Sequence, residues 1–252
     1  MRIAKDIISL FIYLFVTPFY RTKNAVFVYH SVDNIDIDDD PRRMNVSPAL
    51  FERHMEHLSR RKDRYTVTFD DGFQNVYMNA FPVLKKYGMK CIVFLTIEYM
   101  DTAEPMKKFF NDRYAVKSLT WDQVKEMRSC GAEIGSHALT HRNMARLDKE
   151  AFSVEAQASR EAIKAIAGCD VTSFSYPFGN RGSFNKDTAD ILKTLGYTRA
   201  YTNIMGMDNS QKKPFAVRRI RVYGTDNMFR FRMKAAGAYN WVDLLNSMAP
   251  QI

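Results

Sequence analysis

Two neighbouring carboxylates, Asp70 and Asp71, follow the mostly apolar run Tyr65–Phe69 and precede Gly72. On a continuing strand they would point to opposite faces. Because glycine lets the chain turn where the strand ends, both carboxylates can reach one cavity. Such a pair suits general-base work or metal binding, although Asp-Gly after a strand is also ordinary turn chemistry.

Two histidines, His137 and His141, are spaced H-x-x-x-H. They can face the same point if the backbone makes one helical turn. Two imidazoles and one carboxylate, with positions left open to water, form a ligand set for a catalytic divalent metal, and zinc is the usual occupant. No glutamate follows either histidine in the H-E-x-x-H manner, which argues against a metalloprotease. Taken alone, the pair is more typical of a surface or core role.

The elements that must position these side chains follow a repeating β/α pattern after residue 24. Helical stretches end at Gly88, Gly131, Gly168 and Gly196, and each is followed within a few residues by a predicted strand. Strands are predicted at residues 25–30, 65–69, 90–96, 132–135, 172–176, 198–202 and 217–223. The alternation predicts an α/β fold with a largely parallel sheet, open or closed into a barrel. In either case a ligand site is expected at the carboxyl ends of the strands, where the candidate residues lie.

The composition excludes several classes of protein. With 252 residues, 46% hydrophobic and 26% charged, the chain is neither disordered nor too small to bury a core as one domain. The three cysteines are an odd number without a C-x-x-C pair, which argues against a disulfide framework or a cysteine zinc site and favours reduced thiols. Neither a G-x-G-x-x-G nor a G-x-x-x-x-G-K-[ST] pattern is present, so a dinucleotide or P-loop site is not expected.

The charge is +9 and is concentrated in one segment. Residues 212–234 contain eight basic side chains and one acid, Asp226, and so carry +7 of the total. This excess favours an anionic partner. The segment mixes basic and aromatic residues but lacks any recognised nucleic-acid motif, so we expect no nucleic-acid partner. It fits better an anionic membrane surface or a phosphate-bearing lipid carrier.

The N-terminal residues 7–20 are uncharged and mostly apolar, with basic residues on both sides. Fourteen residues of helix cover about 21 Å, against roughly 30 Å of hydrocarbon, so the stretch is too short to span comfortably. No small-residue cleavage site follows, which argues against a removable signal peptide. An interfacial anchor or a buried core helix remains possible. We expect residues 1–23 to be a membrane-associating segment and 24–252 the catalytic domain, at the cytoplasmic face unless the protein acts at the periplasmic or extracellular face.

Three motifs in order carry a family resemblance: T-F-D-D-G at 68–72, S-H-A-L-T-H at 136–141 and S-Y-P-F-G at 175–179. They resemble the polysaccharide deacetylases of the NodB-homology type, carbohydrate esterase family 4, over roughly residues 25–225. The opening V-Y-H-S-V at 28–32 looks like the branch that deacetylates poly-N-acetylglucosamine. The resemblance implies an irregular (β/α)7-type barrel, here preceded by an N-terminal apolar helix.

By that resemblance, Asp71, His137 and His141 bind a divalent metal, with zinc as the expected ion, and Asp70 is the general base. The implied reaction is hydrolysis of an N-acetyl group by a water whose pKa the metal lowers.

The resemblance also implies a place for the oxyanion and for substrate. A backbone N–H near Phe178 would hold the oxyanion, with Tyr176 and Arg219 in the substrate-binding region. Ser175 stands where many relatives carry an arginine that positions the base, and Arg219 is the candidate to supply that charge from another strand. Ala138 stands where relatives often carry Ser or Thr, which should cost only one hydrogen bond around the site.

The proton donor to the departing amine follows from a count of the five histidines. None follows residue 141, so the C-terminal catalytic histidine of many relatives is impossible here. His54 and His57 lie in the middle of a predicted helix beside charged residues and are expected on a solvated face. His30, at the end of the first predicted strand, is therefore the candidate general acid.

The sequence thus predicts a membrane-associated, metal-dependent hydrolase that removes the N-acetyl group from an N-acetylhexosamine in a bacterial polysaccharide or lipid-linked precursor. Two alternatives stay open: a catalytically silent carbohydrate-binding module on the same fold, and a peripheral adaptor that binds through the basic segment. The acidic run between Asp33 and Asp40 is expected to be a solvated loop.

Overall fold

Seven parallel strands close into a barrel in the computed structural model, which describes residues 2–17, 24–102, 106, 109–110, 114 and 116–243. In chain order, the strands β1 to β9 are Ala25–Tyr29, Ser31–Val32, Asn45–Val46, Tyr65–Phe69, Cys91–Leu95, Glu133–Ser136, Ser173–Ser175, Arg199–Met205 and Val217–Arg221. The barrel order is β1-β4-β5-β6-β7-β8-β9, and β1 pairs in parallel with β9. This closure decides between the open sheet and the barrel, and the predicted (β/α)7-type fold is confirmed. Strands β2 and β3 form a separate two-stranded sheet.

The helices that alternate with these strands begin and end at recognisable residues. In chain order, α1 to α7 are Arg2–Phe15, Pro48–Ser59, Phe81–Tyr87, Trp121–Ser129, Lys149–Ala167, Lys186–Thr194 and Met228–Ala235. Ser47 Oγ accepts a hydrogen bond from the Leu50 N–H and caps α2, while Thr120 and Gln123 form a capping box at α4. Gly168 ends α5 in the left-handed conformation, as the sequence predicts.

Successive side chains of the barrel strands alternate between the helices and the barrel interior. One set from β1, β5, β8 and β9 forms a closed apolar cluster inside the barrel: Val26, Ile92, Phe94, Tyr201 and Val217. The alternate residues, such as Phe27 and Phe69, join the larger core beneath the helices. Residue 219 follows residue 217 by two positions, so its side chain also points into the barrel, one layer nearer the carboxyl ends of the strands.

The expectation of a solvated face for the α2 histidines is wrong for His54. Its ring is fully buried, stacks on Phe231 of α7 with ring centroids 3.8 Å apart, and Nδ1 lies 3.2 Å from the Tyr29 hydroxyl. His57 is half-buried, with its ring edge toward the same Phe231. The cause is helix α7, which covers this part of α2.

The acidic run is also less solvated than expected. Asp39 and Asp40 are buried. Asp40 accepts hydrogen bonds from the backbone N–H groups of Met44 and Asn45, at 3.0 and 2.8 Å. These bonds fix the turn that leads into β3, so Asp40 has a structural role.

The first helix, α1, packs along one face on α7 and the residues that follow it. Asp6 pairs with Arg230 and accepts a hydrogen bond from the Tyr239 hydroxyl. Trp241 Nε1 donates to Ser9 Oγ at 3.0 Å. In the part of the chain that the structure describes, no helix has the length and apolar character needed to cross a bilayer. Residues 18–23, the end of the predicted membrane-associating segment, lie outside the described residues.

Candidate active site

The predicted site residues meet at the carboxyl ends of β4, β6 and β7. Asp70 and Asp71 directly follow β4, and His137 directly follows β6. The Asp70 N–H donates to the carbonyl of Tyr29 on β1, and the His137 N–H donates to the carbonyl of Leu95 on β5. Each side chain is therefore placed by a backbone hydrogen bond to the neighbouring strand.

Asp71, His137 and His141 form a compact group of three potential metal ligands. One donor atom from each lies within 4.8 Å of the other two. Both histidine Nε2 atoms face Asp71 Oδ1, at 3.5 Å for His137 and 3.2 Å for His141. The ring atom Nδ1 of His137 lies 2.7 Å from the carbonyl oxygen of Ser175. That carbonyl can only accept, so Nδ1 carries the proton and Nε2 presents a lone pair to the group.

The donor set fits a divalent cation. Asp71 Oδ1 is buried and accepts no hydrogen bond from the described residues, despite its closeness to the two rings. Burial lowers the pKa of His137 to about 4, so its ring is neutral at pH 7. A buried carboxylate oxygen facing the neutral ring of His137 is an arrangement of electron-pair donors without an acceptor, and His141 Nε2 lies beside it. One carboxylate and two imidazoles, with further positions open, are what zinc and related ions take in catalytic sites.

Asp70, the residue before Asp71, is held by a different partner. Arg219 of β9 binds it with two parallel hydrogen bonds, Nη1 to Oδ1 at 2.8 Å and Nη2 to Oδ2 at 2.7 Å. Neither side chain is more than 1% exposed. Burial acts to raise the pKa of Asp70, but the Arg219 charge outweighs it, and the pKa lies well below its usual range. Asp70 is therefore ionised at neutral pH and can accept a proton.

The guanidinium of Arg219 is satisfied on every side. Its Nε donates to the Thr202 carbonyl at 2.8 Å, and Nη1 also reaches Thr68 Oγ1 at 3.1 Å. Its Nη2 also reaches Ser175 Oγ and Asn203 Oδ1, both at 3.0 Å. A buried charge needs such a complete set of partners. The small side chain of Ser175 lies where it can accept from the arginine that enters from the other strand.

Backbone strain is concentrated at this site. Six non-glycine residues among those described have positive φ, and four of them belong to the three motifs: Asp71, Ala138, His141 and Phe178, at 73°, 70°, 55° and 64°. Such conformations cost free energy and persist only where the surroundings enforce them. These residues are thus concentrated in the strand-end loops that carry the candidate site residues.

A buried glutamate on α5 supports the histidine loop. Glu155 Oε2 accepts from the backbone N–H groups of Leu139 and Thr140, at 3.0 and 2.9 Å, and Oε1 accepts from the Thr140 hydroxyl. These bonds hold the backbone between His137 and His141, which is not helical. The two rings converge through this loop rather than through the helical turn that the spacing suggested.

A profile of the polysaccharide deacetylase family matches residues 57–200, more than half of the chain. The chain belongs to the polysaccharide deacetylase family. The matched region contains Asp70, Asp71, both loop histidines and Phe178, but not His30 or Arg219.

Individual relatives agree with this assignment. YxkH of Bacillus subtilis (strain 168), a protein assigned to the polysaccharide deacetylases, is 30% identical over 156 residues, which are 62% of this chain and 50% of YxkH. The poly-β-1,6-N-acetyl-D-glucosamine N-deacetylase of Escherichia coli (strain K12) is 23% identical over 176 residues, covering 58% of this chain and 26% of that enzyme. The chain therefore spans half or less of these relatives.

Among solved structures, the Streptococcus pyogenes deacetylase PplD in complex with acetate has the same fold. The TM-score is 0.65 at 19% identity, and the match covers 92% of this chain and 100% of that one.

In this member of the family, His30 lies beside Asp70. The register of β1 on β4 pairs Tyr29 with Phe69, so the next residues of the two strands, His30 and Asp70, are neighbours at the strand ends. The ring is half-buried. Burial lowers its pKa, and the carboxylates of Asp71 and Asp70 act in the opposite direction.

Phe178 lies at the rim of the site. Its ring is 49% exposed, and its centroid lies 5.0 Å from that of His141. Asn203 holds the loop, because its Nδ2 donates to the Phe178 carbonyl at 3.0 Å and its backbone N–H donates to the Gly179 carbonyl at 2.8 Å. Gly179 has a φ of 61°, and a Cβ there would lie 2.5 Å from the Asn203 nitrogen. Only glycine allows this approach.

The expectation that Tyr176 contacts substrate is not met by its side chain. The ring has no exposed surface, stacks on Phe184 with centroids 4.8 Å apart, and donates its hydroxyl hydrogen to the carbonyl of Phe215. It belongs to the packing around β7. Because the strand alternates, Tyr176 points to the opposite side from Ser175.

Two supporting residues, Asn203 and Glu155, are absent from the sequence predictions. Asn203 is one of many polar residues in a strand, and no sequence signal marks it. For Arg219 a signal did exist: it shares strand parity with the buried Val217, whereas Arg218 does not. Glu155 also has a signal, because it follows Phe152 by three residues and therefore lies on the buried face of α5.

Proposed function

We propose that this chain is a metal-dependent N-deacetylase that hydrolyses the N-acetyl group of an N-acetylhexosamine in a bacterial polysaccharide or lipid-linked precursor. The observation that carries the proposal is the orphaned Asp71 Oδ1 facing two imidazole nitrogens, next to an ionised Asp70. The relative from Escherichia coli, named for N-deacetylation of poly-β-1,6-N-acetyl-D-glucosamine, supports the choice of substrate class.

Asp71, His137 and His141 are the proposed ligands of the ion. A divalent cation bound there supplies Lewis-acid polarisation of the acetamide carbonyl and a lower pKa for the attacking water, and zinc is our candidate. The protein contributes a fixed geometry for that ion. The Ser175 carbonyl sets the tautomer of His137, and Glu155 fixes the loop that carries His141.

Asp70 is the proposed general base. Water adds its oxygen to the carbonyl carbon while Asp70 accepts a proton from it. The C–N bond then breaks, acetate leaves, and the amine of the sugar takes up a proton. Arg219 acts through Asp70: it keeps the carboxylate ionised and in one orientation, and its complete burial prevents direct contact with substrate.

His30 and Phe178 are proposed for the two remaining tasks. His30 lies beside Asp70 at the strand end and is the candidate that gives a proton to the departing amine. Burial leaves its ring largely neutral at pH 7, so it must be protonated during the cycle before it can donate. The backbone N–H at Phe178, on the loop that Asn203 holds, is the candidate oxyanion donor.

Acetate release from soluble N-acetylglucosamine oligomers tests the proposal. The Asp70→Asn variant keeps the size of the side chain but removes the base, and we expect the rate to fall about 10²- to 10⁴-fold. Asp122→Asn, at an exposed position on α4, is the matched control and should retain the wild-type rate. Binding of the oligomers by the wild-type protein without any acetate release would favour a silent carbohydrate-binding module instead. Full activity of Asp70→Asn would remove Asp70 from the mechanism.

A further inference from the structure

The outward face of α1 is apolar along its whole length. The exposed side chains on this face have no charge and no hydrogen-bonding group: Ile3, Ala4, Ile7, Ile8, Phe11, Leu14 and Phe15. The larger ones are 45% to 76% exposed. We call this set the α1 stripe. A contiguous apolar surface of this kind on a folded domain marks an interaction site.

The opposite face of α1 is already used. At 100° per residue, Ser9 lies on the side of the helix opposite Phe11, and it accepts a hydrogen bond from Trp241. Tyr13 packs edge-on against Phe229 of α7, with centroids 6.3 Å apart, and Asp6 pairs with Arg230. Asp6, Ser9 and Tyr13 therefore lie on the packed side of α1. The helix cannot roll to bury its stripe without breaking these contacts.

The surroundings of the stripe are basic. Lys5 lies on α1 itself. On α7, which packs against the other face of α1, Phe229 and Arg232 have exposed side chains. The chain as a whole carries +9. An apolar helix face with basic side chains nearby is the pattern of helices that lie in the interface of an anionic bilayer.

The same charges argue against a second copy of the chain as the occupant. Two such faces brought together would place like-charged surfaces side by side, which opposes association. An anionic lipid surface, in contrast, offers hydrocarbon for the stripe and negative charge for the basic side chains. The helix would lie in the plane of the membrane without crossing it, in keeping with its length of about 21 Å against roughly 30 Å of hydrocarbon.

We propose that the α1 stripe is a docking surface for an anionic bilayer, and that it holds the folded domain flat against the lipid through α1 and the start of α7. The apolar side chains enter the boundary between headgroups and acyl chains, while Lys5 and Arg232 contact the anionic headgroups. This inference does not depend on the proposed deacetylation, because none of these residues belongs to the candidate active site.

Sedimentation of the full chain with lipid vesicles tests this inference. Vesicles of phosphatidylcholine with about a third phosphatidylglycerol are compared with vesicles of phosphatidylcholine alone. We expect the wild-type protein to bind the anionic vesicles, to bind the neutral ones more weakly, and to lose affinity as salt is raised. Equal binding to both vesicle types would overturn the electrostatic part, and no binding to either would overturn the whole proposal.

Two double variants show whether vesicle binding depends on the α1 stripe or on exposed apolar side chains in general. Ile7→Ser with Phe11→Ser should reduce vesicle affinity about tenfold or more, because two large apolar side chains no longer enter the lipid. Val154→Ser with Ile166→Ser alters two exposed apolar residues of α5 and should leave binding unchanged. Equal losses in both would contradict the inference. A third outcome would also contradict the inference. If the wild type forms a dimer but does not bind vesicles, and the stripe variant is monomeric, then a second copy of the chain covers the α1 stripe.

The folding of the variants is checked independently of lipid. Their thermal unfolding and their acetate release from soluble oligomers should match the wild type, because the altered residues face solvent and lie outside the site. A stripe variant that is folded and active but no longer binds vesicles is the expected result.

Discussion

The candidate active site and the outward face of α1 break the usual rules of burial in opposite ways. In the site, the charges of Asp70 and Arg219 are withdrawn from water, whereas on α1 large apolar side chains such as Phe11 are left in it. Both choices cost free energy, but only the first is compensated within the molecule. Arg219 has a partner for each of its nitrogens. The α1 stripe has no partner outside itself among the described residues, and we therefore propose that an external surface covers it.

The same contrast separates Asp70 from Asp71, although they are adjacent. Asp70 is saturated by the Arg219 fork, while Asp71 retains a buried oxygen without a hydrogen bond from the described residues. A carboxylate whose oxygens all have hydrogen-bond donors is held in place by the protein alone. A buried carboxylate oxygen without such a donor is available to bind a cation. This difference is why we propose Asp70 as the base and Asp71 as the metal ligand.

The largest loss of stability is expected from breaking the buried ion pair between Arg219 and Asp70. Arg219→Met leaves the Asp70 carboxylate buried without its counter-charge, and the free energy of unfolding should fall by about 3–5 kcal/mol. Urea denaturation measures it. Arg218→Met is the control, because its partner Asp243 keeps a second arginine, Arg181, and this loss should stay near or below about 1 kcal/mol. Equal losses for the two variants would show that the buried Arg219–Asp70 ion pair contributes no more to stability than the Arg218–Asp243 pair.

A smaller effect is expected from loosening the loop that carries the histidines. Glu155→Gln removes the charge that accepts from Leu139 and Thr140 and should lower the free energy of unfolding by about 2 kcal/mol. Affinity for zinc, measured by calorimetric titration, should fall about 10- to 100-fold. The control is Glu161→Gln, on the exposed side of α5. Unchanged zinc affinity in Glu155→Gln would mean that the loop does not position the ligands.

A buried group outside the site should make stability depend on pH. Burial lowers the pKa of His54 to about 3 in the folded protein, against 6.5 for an exposed ring. Between pH 3 and pH 6.5 the ring therefore binds a proton in the unfolded chain but not in the native state. The contribution of this ring is complete above pH 6.5 and decreases by about 1.4 kcal/mol per pH unit as the pH falls toward 3.

The His54→Gln variant isolates that contribution, since a glutamine amide can still form a hydrogen bond with the Tyr29 hydroxyl. Urea midpoints between pH 4 and 8 should show a shallower decline in acid for this variant than for the wild type. His57→Gln, which removes a half-buried ring, should change the slope less. Parallel curves for the wild type and His54→Gln would rule out His54 as a source of acid sensitivity.

The smallest change in stability is expected on the outward face of α1. Phe11→Ser should change the free energy of unfolding by less than about 0.5 kcal/mol, because the ring faces solvent in the free protein. Asp6→Ala, on the packed face, should cost about 1 kcal/mol through its bonds to Arg230 and Tyr239. Chemical denaturation without lipid distinguishes them. A large loss for Phe11→Ser would mean that the stripe is buried in solution.

The β/α alternation and the closeness of the candidate site residues could be predicted from the sequence because their signals are local, whereas closure of the sheet into a barrel is implied only by the family resemblance. Gly88 and Gly168 end helices, each apolar run that follows is a strand, and the chemistry lies where the runs stop. Strand ends converge in any parallel α/β fold, so adjacency of Asp71, His137 and His141 needs no knowledge of distant contacts.

What the sequence could not reveal depends on contacts between distant segments. His54 is buried because α7, some 170 positions later, covers it. Its spacing of three residues from Phe51 and four from Leu58 puts it on the apolar face of α2, but that spacing does not say which element covers it.

Tyr176 lies in a motif, yet strand alternation turns its ring into the core while Ser175 faces the site. Asn203 looks ordinary in its strand, and Glu155 stands on the buried face of its helix without any indication of its partner. Both acquire a role only through the loops that they bind.

The most direct test of the central claim measures bound metal and acetate release on the same samples. Chelator-treated protein is reloaded stepwise with zinc, and metal content is determined by mass spectrometry alongside hydrolysis of N-acetylglucosamine oligomers. We predict that activity rises in proportion to bound zinc and levels off at about one ion per chain, and that Asp71→Asn neither retains the ion nor releases acetate. Full activity of the metal-free chain, or a full equivalent of zinc in Asp71→Asn, would contradict the account.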